Sequence, residues 1–302
     1  MNEAEIFSPP NVVSPQAEVG AYEALWLNGV SSYKQVRDHL AAAGASLPSG
    51  AVEKGIATRA YEEALDHLKK ANITKFGVVL DATFDYPLKL KDADYPLVLL
   101  YYRGCWDLVM SRGVAVVGTR KPSAEGGKRT EKLVKYLVEK DFTVFSGLAA
   151  GIDTVAHTTA LKCGGRTVAV IGTPISATYP AENGDLQELL ALEHLVVSQV
   201  PICRYHRSNV QYNRLQFPER NKTMSALTEA TIIVEAGETS GSITQGAAAL
   251  KQGRKLLILS SCFERAESRK WAEKFERQGA VRVRDVDDIE RALLADVAPQ
   301  AN

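Results

Sequence analysis

The chain has 302 residues, 45% of them hydrophobic, and its 36 lysines and arginines are matched by 36 aspartates and glutamates. That length allows one large or two modest domains with a sizeable core. Zero net charge excludes attraction to nucleic acid or anionic membrane by the overall field and leaves only local clusters to provide it.

The start, MNEAEIFSPPNVVSPQ, has acids and prolines where a signal peptide needs a basic end and an apolar run. No apolar stretch approaches the roughly 18 residues that span a bilayer. Four cysteines, Cys105, Cys163, Cys203 and Cys262, lie far apart without CxxC or Cys/His spacing. This argues against a zinc site or a disulfide framework and fits reduced thiols in a cytoplasmic protein. Residues 1–16, with three prolines, read as a flexible lead.

From Ala17 the pattern turns helical. EVGAYEALWLNG, SYKQVRDHLAAAG and GIATRAYEEALDHLKKAN each place apolar residues three and four apart and close on Gly or Asn. They read as a small helical domain over residues 17–72, in which His39 and His67 are structural. FGVVL (76–80) reads as a strand, and two Tyr-Pro pairs favour extended backbone ahead of the apolar run at 98–102.

Beyond Val114, the runs VAVVG, FTVFSG, RTVAVIG, HLVVSQ, ATIIVEAG and KLLILS alternate with amphipathic segments such as EGGKRTEKLVKYLVEK. That alternation predicts an α/β fold, a parallel sheet with crossover helices, occupying residues 73–302. Ligands of such open sheets sit beyond the carboxyl ends of the strands. The last stretch, RAESRKWAEKFERQGAVRVRDVDDIERALL, reads as helix, short strand and helix. It is expected to complete the sheet.

Four turns lie at that carboxyl rim. VVGTRKPSAEGG sets Gly118 after a strand and Arg120 just beyond it, with Ser123 as a helix cap. FSGLAAGID sets Ser146 and Gly147 after a strand and opens a helix at Gly151 to Asp153, whose free amides favour phosphate. IGTPISATYPAEN brings Tyr179, Pro180 and Asn183, and EAGETSGSIT brings Ser240, Gly241 and Ser242, suited to a nest of N–H donors. None is a GxGxxG or Walker loop, so no nucleotide cofactor is expected. The segment CRYHRSNVQYNRLQFPERNK adds Arg204, Arg207, Arg214, Arg220 and Lys222, interleaved with Tyr205, Tyr212 and Phe217. Basic residues among aromatic ones suit single-stranded nucleic acid, whose phosphates meet the charges and whose bases stack on the rings.

The ordered set VAVVGTRKPS, SGLAAGIDTVAH, AVIGTPISATYPAEN, FPERNKTMSAL, IIVEAGETSGSIT and ALKQGR resembles the DNA-processing protein A (DprA/Smf) family over roughly residues 76–259. The resemblance implies an extended Rossmann-like fold that binds single-stranded DNA, helps load a RecA-type recombinase and forms a homodimer. The pathway it would serve, recombination, transformation or defence, has no motif of its own. The resemblance places Arg120, Ser146, Gly147, Asn183, Arg220, Asn221, Lys222 and residues 240–242 on an anion-binding rim, which Gly118 joins from its turn; because such a fold brings strand ends and helix starts to one rim, Arg120 and Lys222 are expected on opposite sides of one site. The resemblance implies basic residues, common in the family, where this chain has Ala150 and Thr239, and the winged helix of many members, which needs about 60 residues, is not expected in the roughly 40 that follow Leu259. No catalytic residue is expected. The alternatives are a sensor of a small nucleotide and a LOG-type nucleoside monophosphate glycosidase, for which Asp153, Glu235 or Glu238 could supply the carboxylate. Because the rim turns all follow Val114, a chain lacking everything up to Asn72 is expected to keep its fold.

Overall fold

The computed structural model describes residues 13–91 and 97–294. Most of the lead expected over residues 1–16 lies outside the described residues, and its described end is already helical. The Ser14 side chain accepts from the Ala17 amide, and Pro15 opens α1 (Pro15–Leu27). Proline suits the first helical position, because its φ is preset and the amide it lacks would have no intrahelical partner. Then come α2 (Tyr33–Ala42), capped by Ser32, and α3 (Lys54–Lys70).

The sheet begins with β1 (Gly77–Leu80), a short α4 (Leu88–Lys91) and β2 (Leu99–Gly104). The alternating part runs β3 (Gly113–Val117), α5 (Ala124–Glu139), β4 (Thr143–Ser146), α6 (Ile152–Lys162), β5 (Thr167–Ile171), α7 (Gly184–Glu193) and β6 (Leu195–Ser198). Three helices, α8 (Ile202–Arg207), α9 (Val210–Arg214) and α10 (Gln216–Leu227), then carry the chain back. The remainder is β7 (Ala230–Ile233), α11 (Gly241–Lys251), β8 (Lys255–Leu259), α12 (Ser261–Glu264), α13 (Ala266–Arg277), β9 (Val281–Val283) and α14 (Val286–Leu294). Among the described residues, no helix is long and apolar enough to cross a membrane.

The strand order is β1-β2-β6-β5-β4-β3-β7-β8-β9. β2 pairs antiparallel with both β1 and β6, and β3 to β9 pair parallel. The chain lays β3 to β6 outward in one direction, then returns to set β7 on the other side of β3. Loops leaving β4 and β7 therefore diverge around the end of β3 and open a crevice at the carboxyl rim. Along β3, Ala115 and Val117 join the core under α10 and α11, and Val114 and Val116 join the core under α5 and α6. Covered on both faces, the strands can be apolar throughout.

α1 to α3 share the first of those cores, with Tyr22, Trp26, Val36 and Leu68 clustered with Leu99 and Tyr101. The tie that fixes α1 is polar. Glu23, fully buried, accepts from the Tyr101 hydroxyl at 2.5 Å and from the amides of Ile202 and Cys203 at 2.8 and 2.9 Å. It thus caps α8 from a different segment of the chain. Burial raises its pKa above the usual carboxylate value, and the three donors pull it back. A chain cut at Asn72, expected to keep its fold, would therefore lose the acceptor of these three donors and bare Tyr101.

Glu23→Ala should leave three buried donors unpaired and cost about 3 kcal/mol or more in urea denaturation. Glu23→Gln, which keeps an acceptor and the volume, should cost distinctly less. Equal stability of Glu23→Ala and the parent chain would mean that α1 is not held by this contact.

Candidate nucleic-acid interface

The crevice is built by loops that must pass close to one another. At Gly118, a Cβ would lie 2.5 Å from Ile152 Cγ1 and 2.8 Å from the Glu235 carbonyl, so only glycine allows the approach. The Thr119 amide donates to the Glu235 carbonyl at 2.7 Å, and the Thr119 carbonyl accepts from the Ile152 amide at 3.2 Å. Gly151 has φ +81° and lies against the Thr119 and Arg120 backbone. The Glu235 carboxylate accepts from the Ser123 amide at 3.0 Å and hydroxyl at 2.7 Å and pairs with Arg265 at 2.8 Å. Burial raises its pKa, but the Arg265 and Ser123 hydrogen bonds outweigh that and hold it below the usual range. Glu235 is a strut for the β3 loop.

Arg220 forms the floor. It is 5% exposed, and its Nη1 donates to the carbonyls of Gly147 at 2.7 Å and Val170 at 2.5 Å. Its Nε donates to Asn221 Oδ1 at 2.9 Å, while Asn221 Nδ2 donates to the Gly241 carbonyl at 3.1 Å. Arg220 thus ties α10 to the ends of β4 and β5, and Asn221 ties it to the start of α11. A Cβ at Gly147 would fall 2.6 Å from the guanidinium, which explains the glycine. Burial lowers the Arg220 pKa to about 10, and Asp153 opposes the shift. The Asp153 carboxyl accepts from the Ala149 amide at 3.3 Å, and burial raises its pKa.

Above this floor lies a cavity of about 560 Å³ lined by Gly118, Arg120, Arg220, Asn221 and residues 240–242 of the expected set. The opening residues of α11 face it, with Ser240 accepting from the Ser242 amide as cap. Amides at such a helix start suit an anion. Beside it stand two rings. Tyr179 and Phe217 have centroids 5.5 Å apart, and the exposed Arg120 guanidinium lies 5.9 and 6.0 Å from them. Tyr179 is 47% exposed. Phe217 fits against Gly172, where a Cβ would come within 2.5 Å of the ring.

Other expected residues stand elsewhere. Ser146 is fully buried, its hydroxyl donating to the Val116 carbonyl at 2.7 Å. Asn183 donates to the Leu148 carbonyl and the Thr154 hydroxyl, both at 2.9 Å. Arg204 lies 4.8 Å over the Tyr212 ring, Arg207 forms a two-pronged pair with Glu63, and Arg214 is exposed on α9. Lys222 pairs with Glu219 at 2.8 Å and lines a different cavity, so it does not face Arg120 across one site. Sequence reading named Tyr179 only as part of its turn and Thr239 only as a missing charge, and it left out Lys121 and Gln245. The signal for Tyr179 lay in its turn, since Gly172 makes room for the ring that packs against it.

His157, from SGLAAGIDTVAH, is fully buried behind the crevice. The Thr167 hydroxyl gives its proton to the Val144 carbonyl at 2.8 Å, so it accepts from His157 Nδ1–H at 2.7 Å. Burial pushes the imidazole pKa down to about 3 from about 6.5. The unfolded chain therefore takes up this proton first as pH falls. The contribution of His157 is complete above about pH 6.5 and is lost progressively down to about pH 3. Urea midpoints across that interval should fall less steeply for His157→Asn than for the parent chain.

The family model of DNA recombination-mediator protein A matches residues 76–294. DNA processing protein DprA of Streptococcus pneumoniae is 38% identical over 195 residues, covering 64% of this chain and 66% of that protein. Protein Smf of Synechocystis is 40% identical over 164 residues, 53% of this chain and 39% of that protein. The chain thus spans from about two-fifths to just under two-thirds of these curated relatives. Among solved structures, S. pneumoniae DprA superposes with a TM-score of 0.73 at 27% identity, over 93% of this chain and 98% of that one. DNA processing protein A of Helicobacter pylori, known for a unique single-stranded DNA binding mode, gives 0.60 at 25% identity over 74% and 97%.

Proposed function

The chain belongs to the DNA recombination-mediator protein A family, and from that premise we propose that it binds single-stranded DNA at the rim formed by the ends of β3, β4 and β7. The observation that carries this reading is the grouping of Arg120, Tyr179 and Phe217 beside the start of α11. A cation and helix amides suit a phosphate, and two ring faces one nucleotide away suit unpaired bases, each stack being worth about 1–3 kcal/mol. The H. pylori relative binds the same class of ligand. No base edge is read by such contacts, so little sequence preference is expected.

Thr239 lines the cavity without a charge. Lys121, exposed next to Arg120, supplies a cation on the same loop. The protein acts in this reading as a mediator in the cytoplasm, without catalysis, presenting the strand to a RecA-type recombinase and working as a homodimer. Of the three carboxylates named for a glycosidase, Glu235 is engaged by Ser123 and Arg265, Asp153 is buried beside Arg220, and Glu238 stands exposed on the turn before α11. Release of free base from nucleoside monophosphates would favour the enzyme instead.

The deciding measurement is single-strand affinity across salt concentrations. Arg120→Ala should weaken binding on all sequences alike and reduce the log–log salt slope by about 0.7. Phe217→Ala should weaken it by about 1–3 kcal/mol with the slope kept. Lys222→Ala, on the far side of α10, should change neither. If folded Arg120→Ala and Phe217→Ala variants both bind as the parent does, DNA does not lie on this rim.

A further inference from the structure

The ring of Phe217 stands at the rim, yet the residue before it belongs to another neighbourhood. Gln216 is 5% exposed, and its Oε1 accepts from the Tyr33 hydroxyl at 2.6 Å. Tyr33 opens α2 in the N-terminal helical segment, 183 residues away along the chain. It is buried too, packed edge-on against Trp26 with ring centroids 5.0 Å apart. Burial raises its pKa well above the usual phenol value, so the hydroxyl keeps its proton and stays a donor.

A second tie lies further along the same helix. The Gln199 carbonyl, just past the end of β6, lies 3.3 Å from the hydroxyls of both Tyr22 and Tyr33. A phenol has one proton to give, and the shorter contact takes that of Tyr33, which leaves the carbonyl to Tyr22. The Gln199 side chain in turn accepts from the Thr223 hydroxyl, about two turns beyond Gln216. The helical segment and the end of β6 thus grip one side of α10 at two points.

The grip matters most at the start of α10. No side chain caps that start, and Pro218 in its first turn has no amide to donate. Consecutive helical residues point about 100° apart, so fixing Gln216 on the buried side fixes the direction of Phe217 toward Tyr179 and Arg120. We infer that Tyr33 is a positioning residue for single-strand binding, which touches no DNA and sets the stacking ring through Gln216. The inference rests on the DNA reading of the rim.

The test is a double-mutant cycle on the affinity of the full chain for oligothymidylate. Tyr33→Phe keeps the ring and removes the hydroxyl. It should weaken binding by about fivefold, at the low end of what one stacked base contributes, with the log–log salt slope unchanged because no phosphate contact is lost. In a Phe217→Ala background the same substitution should cost less than about twofold, since the ring that it positions is gone. Gln216→Leu cuts the bond from its other end. It should reproduce both results, and it takes the place of Tyr33→Phe if that variant does not fold. If Phe217→Ala weakens binding while Tyr33→Phe does not, or if Tyr33→Phe costs the same in both backgrounds, Tyr33 serves only the fold and the inference is overturned. If neither Phe217→Ala nor Arg120→Ala changes affinity, the placement of DNA on the rim has failed, and this inference fails with it.

Discussion

A cation sealed inside the sheet's rim holds this molecule's surface in place. The Arg220 guanidinium lies beneath the crevice, bonded to the carbonyls that end β4 and β5. Carbonyls at strand ends have no ladder partner, and a buried charge is tolerable only where its hydrogen bonds are met. Each need answers the other, with Asp153 close enough to oppose the loss of the proton. From that anchor follow the glycine at 147, the seat of Phe217 on Gly172 and the start of α11 held by Asn221. The surface offered to a ligand is arranged by groups that the ligand does not reach.

Much of the fold was legible because covering both faces of a parallel sheet forces its strands into apolar runs, and the turns between them into glycine. The helix at Pro15 was misjudged for a local reason, since proline signals either loop or first turn and only the Ser14 cap distinguishes them. Glu23 was invisible in EVGAYEALW, where a glutamate among apolar residues reads as the outer face of a helix. Its partners, Tyr101 and the amides of α8, come from remote parts of the chain.

At the site, residue type was legible and direction was not. Arg120 and Arg220 look alike in a motif, yet one is exposed beside two rings and the other is a structural bolt. Consecutive helical positions point about 100° apart, so Asn221 and Lys222 face different cavities. The basic run from 203 to 222 looked like one patch for the same reason. Glu63 and Glu219 lie across from its charges and take two of them up. A chain of zero net charge can therefore carry a small cationic spot without a broad cationic face.

The strand order also bears on how the chain comes off the ribosome. β3 is flanked by β4, made soon after it, and by β7, which starts about 110 residues later. At translation rates of about 5–20 residues per second, one edge of the central strand waits roughly 6 to 22 s for its neighbour. During that interval a row of unpaired backbone groups, between apolar side chains on both faces, invites pairing with another nascent chain. Slower translation before β7 would lengthen that exposure, and faster translation would shorten it.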